Sequence, residues 1–136
     1  MVKWIFIFTA TLVTVFAVVG ASVDEQTAVV IDERNDAIYA ALVSVGIENA
    51  LVDVTDERTI IRYEVPNDMN KEAALYYVIG GAARYAIPGS TITATLFENE
   101  SASEESTVSV KDVFAFLNKK ITEKKFSGRI NRKNLK

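Results

Sequence analysis

The chain contains no cysteine and no histidine. Without cysteine there is no disulfide framework, no thiolate nucleophile and no cysteine-type zinc site, so a domain of this size must be held together by packing. Without histidine it also lacks the commonest general base, the commonest transition-metal ligand and the side chain that titrates near neutral pH. Both absences argue against catalysis, and no cofactor is expected. Proline is scarce, at two residues, and glycine numbers six, so few positions interrupt regular structure.

The net charge of −3 conceals a division. Between Ala21 and Val110 sixteen acidic residues face five basic ones, a balance of −11. Between Lys111 and Lys136 nine basic residues face Asp112 and Glu123, a balance of +7, and Lys3 supplies the remaining +1. An acidic body therefore carries a basic tail.

One uncharged hydrophobic run stands out, Trp4 to Val19, with sixteen residues. A membrane-spanning helix needs about 17 to 25 apolar residues and a signal-peptide core about 7 to 15, so the run falls between the two. Two readings of residues 1–21 stay open. One is a single membrane anchor helix; the other is a signal peptide cleaved after Ala21, where Val19-Gly20-Ala21 places acceptable small residues before the cut. Orientation is the same in either case. Lys3 precedes the run, whereas Asp24, Glu25, Asp32 and Glu33 follow it, so the positive-inside bias keeps Met1 in the cytoplasm and puts the body outside.

After the leader, Ser22 and Glu25 stand at capping-box spacing, and Val30, Ile31, Ile38, Ala41, Leu42 and Val45 recur at helical steps up to Gly46. This predicts a helix over 23–45, with a short strand at 27–31 as its rival because of the β-branched residues there. "ALVDVT" and "TIIRYEV" predict an antiparallel hairpin, Pro66 ends it, and a helix begins near Lys71. Leu75, Val78, Ile79, Ala82 and Ala86 form its apolar stripe. "STITATLF" predicts a third strand, "ENESASEES" a solvated loop, "TVSV" a short further strand, and Lys111 to Lys125 a last helix. The expected fold is α+β: a small, mainly antiparallel sheet of three or four strands packed with two or three helices, in the order α-β-β-α-β-(β)-α. Residues 22–125 would form one domain and 126–136 a flexible basic tail.

Candidate sites are few. Gly80-Gly81 interrupts a helix at a cost of about 1 kcal/mol per glycine, which calls for a reason. Close packing of another element is one; the other is a shallow ligand or partner face formed by Tyr77, Gly81 and Arg84, an aromatic and a cation suited to a peptide or an anion. The oxygen-rich runs holding Asp53, Asp56 and Glu57, and Asn67, Asp68, Asn70 and Glu72, lack the spacing of a calcium loop and read as turn and capping chemistry. No metal is expected. Asn99-Glu100-Ser101 is a glycosylation sequon, with an ordinary loop asparagine as the plainer reading. The basic tail suits anionic lipid or an acidic protein surface; export argues against nucleic acid.

The sequence thus predicts a non-enzymatic extracytoplasmic domain, surface-tethered or secreted, with a structural or interaction role. A small ligand-binding or sensory domain using the Tyr77, Gly81 and Arg84 face is the alternative. A small hydrolase would need two carboxyls facing each other across a cleft.

Overall fold

The computed structural model describes Ser22–Lys136, with side chains from Asp32 onward. The leader over residues 1–21, with its anchor and cleavage readings, lies outside the described residues. Among those described, no helix is long and apolar enough to cross a membrane. The chain divides into two units, Met1–Asp32 and Glu33–Lys136, and the core described here lies in the second.

Helix α1 (Ser22–Ser44) settles the first ambiguity in favour of helix over residues 27–31. Its C-terminus is closed by Gly46 at φ 94°, where the Gly46 amide donates to the Val43 carbonyl and the Ile47 amide to the Leu42 carbonyl. Only a residue tolerant of positive φ can make this closure, which satisfies carbonyls that the helix leaves unpaired. Ile38, Leu42 and Ile47 are fully buried by it.

Strands β1 (Ala50–Val54) and β2 (Arg58–Tyr63) form the expected antiparallel hairpin. Helix α2 (Lys71–Tyr85) starts on Asn70, whose side-chain oxygen accepts from the Glu72 and Ala73 amides at 2.8 and 3.2 Å. Its stripe Leu75, Val78, Ile79 and Ala82 is buried as the spacing predicts, and Ala86 just beyond it is buried too. Strand β3 (Thr91–Glu98) then returns beside β2, running parallel to it, so α2 is the crossover of a β-α-β unit.

The second half departs further from expectation. Strand β4 (Ser101–Ser109) occupies most of the stretch predicted to be a solvated loop. It pairs with β3 through a tight hairpin in which Asn99 and Glu100 have φ 54° and 67°, the backbone sense that matches strand twist. Acidic and hydroxyl residues concealed this strand: its inward positions include Ser103 and Ser106, both buried, where aliphatic residues would have shown the alternation. The single predicted final helix is two, α3 (Val110–Leu117) and α4 (Glu123–Arg129), separated at Asn118 and Lys119 and capped anew by Ser109 and Thr122. Residues 126–136 are not a loose tail. Phe126 and Ile130 are buried, and β5 (Asn131–Asn134) pairs antiparallel with β4.

The architecture is α+β with a mixed five-stranded sheet in the order β1-β2-β3-β4-β5. Ile61, Tyr63, Ile92, Ala94, Leu96 and Val108 project from one face into the helical layer and are buried. Among the described residues the opposite face stays open, carrying Leu51, Asp53, Arg62, Thr95, Glu105 and Lys133.

Candidate functional site

A groove lies across one end of the first three strands of the sheet. Its volume is about 490 Å³, and it is lined by Glu48, Asn49, Ala50, Leu51, Arg62, Tyr63, Glu64 and Phe97. The hairpin places Leu51 opposite Arg62 on the open face, and Phe97 at the end of β3 adds an aromatic wall. Leu51, 67% exposed, presents its apolar side chain to this groove. A more polar hollow of about 400 Å³ continues from it past Gly46, Glu48, Asn49 and Glu64 to Pro66 and Asn67. The apolar floor thus has a largely acidic border.

The groove takes in Ala50 and Leu51 of β1, the first strand of the sheet. Thr55 and Arg58 bond across the turn, and the Glu64 amide donates to the Asn49 carbonyl, so Leu51 and Asp53 direct their backbone groups toward β2. By the alternation of an antiparallel ladder, Ala50, Val52 and Val54 direct theirs outward. The Val54 amide is satisfied by the Asn35 side chain of α1 at 2.8 Å. Among the described residues, Ala50 and Val52 are left as the open part of that edge.

On the other edge sits a charged cluster. Arg132 of β5 donates to both carboxylate oxygens of Glu72 at 2.8 and 2.7 Å, tying the last strand to the first turn of α2. The Arg132 guanidinium holds the Glu72 carboxyl below the usual carboxylate range. Burial, and after it the neighbouring Glu104 charge, pushes the Tyr63 phenol far above its ordinary value, so it stays neutral. Lys71 and Glu98 form a second pair at 2.7 Å, and Ser103 also donates to Glu98. These contacts fix strand ends to a helix start. They do not bring two carboxyls together across a cleft in the manner a glycosidase needs.

The residues singled out by sequence are dispersed. A Cβ on Gly81 would lie 3.6 Å from the Ala41 Cβ and 3.8 Å from Leu42 of α1, so this glycine has a helix-to-helix contact beside it. A Cβ on Gly80 would meet nothing within 4 Å. Tyr77 and Arg84 are exposed, and neither they nor Gly81 line the groove or the hollow beside it. Asn99 is exposed at the tip of the β3–β4 hairpin. Asn70 caps α2 and Glu72 pairs with Arg132, so two members of the oxygen-rich runs have structural roles. Among the described residues, no three His, Cys, Asp or Glu side chains are grouped so that they could hold a metal ion.

Sequence reasoning missed the groove. Leu51 was the available signal, as a large apolar residue at a wet position of the hairpin, on the same face as Arg62 and Asp53. No protein-family model matches the chain, and no curated protein or solved structure shows significant similarity to it.

Proposed function

We propose that the chain is a non-enzymatic extracytoplasmic interaction module, tethered by its leader or secreted after Ala21, that takes up an extended basic segment along β1. The observation that carries this reading is the juxtaposition of exposed Leu51, the groove of about 490 Å³ and the outward backbone groups of Ala50 and Val52. Main-chain hydrogen bonds supply affinity in strand addition, and side-chain pockets supply selectivity. Glu48 and Glu64 on the border, with Asp53 beside Leu51, favour a cationic partner. The missing histidine and cysteine fit a binding role better than a catalytic one.

Two measurements test this. Titration of the full chain in detergent with an alternating lysine-valine peptide, read by amide NMR, should shift Ala50, Leu51 and Val52. Shifts confined to other elements would overturn the site. Intact mass of the chain from membrane and soluble fractions of its host tests the location: a full-length membrane species or a soluble species beginning at Ser22 fits. A full-length cytosolic species overturns the extracytoplasmic placement.

A further inference from the structure

We infer that the basic segment taken up by β1 is β5 of a second copy, so that the domain assembles head to tail into a continuous sheet. This rests on the proposed use of the β1 edge and names its occupant. β1 and β5 are the two outermost strands of one sheet. Following the pairings from antiparallel through parallel to two antiparallel steps, β5 runs opposite to β1. A copy placed beside the first in the same orientation therefore meets it through an antiparallel junction, with the helices of both on the same side.

The open backbone groups match in number and face. The Leu135 amide donates to the Ser103 carbonyl, which sets the alternation of the β4–β5 ladder and leaves Arg132 and Asn134 directed outward. All four residues of β5 are exposed. Placing Arg132 opposite Val52 and Asn134 opposite Ala50 joins outward groups to outward groups. The same register keeps the open face continuous, with Lys133 opposite Leu51.

Charge selects this pairing over its rivals. The register sets Lys136 opposite Glu48 and Lys133 diagonal to Asp53, and more broadly the segment from Glu48 to Glu64 holds five acidic residues against Arg58 and Arg62. From Lys119 to Lys136 eight basic residues stand against Glu123. Two β5 edges repel each other, as do two β1 edges, while the unlike edges attract. Because the contact is heterologous, it propagates instead of closing into a dimer.

Sedimentation velocity of the full chain in a mild detergent tests the inference. The expected result is a series of species that grows with protein concentration and shrinks as salt is raised. The double variant Lys133→Glu, Lys136→Glu should stay monomeric, as should the double variant Glu48→Lys, Asp53→Lys. A mixture of the two should assemble again, because each then offers the charge the other lacks. A wild-type chain that remains monomeric, a closed dimer that does not grow, or a mixture that fails to recover assembly would overturn the inference. If the chain stays monomeric while the lysine-valine peptide still shifts Ala50 and Val52, self-assembly fails and the β1 binding site stands; if neither occurs, both fail.

Discussion

The rings of Phe116 and Phe126 are stacked, with centroids 4.5 Å apart and planes 2° from parallel. Tyr76 of α2 meets both edge-on, at 5.9 and 5.8 Å. Helix α2 is thus joined to the consecutive helices α3 and α4 at one aromatic cluster, in an arrangement favoured by the ring quadrupole. Phe126 is 1% exposed and begins the segment that composition alone presents as a loose tail. Phe126→Ala should lower stability by about 3 to 5 kcal/mol, as for other buried phenylalanines. Chemical denaturation checks this; an unchanged midpoint would mean that α4 is not docked.

The two adjacent glycines of α2 should respond in opposite ways. Gly80→Ala adds a methyl group where nothing lies within 4 Å and removes the conformational freedom of an interior glycine, a gain of about 0.5 to 1 kcal/mol. At Gly81 the first added carbon is already in van der Waals contact with Ala41 and Leu42. Gly81→Leu must push α1 away, at about 1 to 3 kcal/mol. Thermal melts of the two variants should shift upward and downward respectively. A Gly81→Leu chain that melts like wild type would place that face in open space.

Thr59 offers a third case. It is fully buried on β2, and its hydroxyl has no hydrogen-bond partner among the described residues. Burying an unpaired hydroxyl costs about 1 to 3 kcal/mol, and valine has nearly the same shape with a high preference for strands. Thr59→Val should therefore raise the urea midpoint. A lower midpoint would show that the hydroxyl is bonded in solution.

The first half of the fold was legible because its pattern and its packing agree. Ile61 and Tyr63 alternate with Ile60 and Arg62, Leu75 to Ala82 repeat at helical steps, and the burial follows both. Legibility failed where polar residues occupy inward positions, as at Ser103 and Ser106, and where helix breaks depend on single caps such as Thr122. The parallel partnership of β2 and β3 is a tertiary fact that no local spacing carries. The groove was hidden for the same reason: Phe97 joins Leu51 and Arg62 of the hairpin only through that pairing.

Stability should fall with acid, and Glu72 should be part of the cause. Its two bonds from Arg132 hold its folded pKa below the ordinary carboxylate value, and Lys71, helped by Ser103, does the same for Glu98. A carboxyl depressed in the folded state stabilises at pH above its unfolded value, and that contribution disappears as pH falls through the folded one. Lys71 supplies the opposite limb. Its pKa is raised by the bond to Glu98, so its contribution is present at neutral pH and is lost as pH rises through the raised value. Glu72→Gln removes one acid-sensitive group while leaving Arg132 a neutral hydrogen-bond acceptor. Because the Glu72 side chain is half exposed, the loss near neutral pH should be at most about 1 kcal/mol. The clearer signature is the slope. Urea denaturation from about pH 7 to about pH 3 should show the variant losing less stability than wild type, since carboxylates titrate across this range; parallel slopes would remove Glu72 from the account of acid sensitivity.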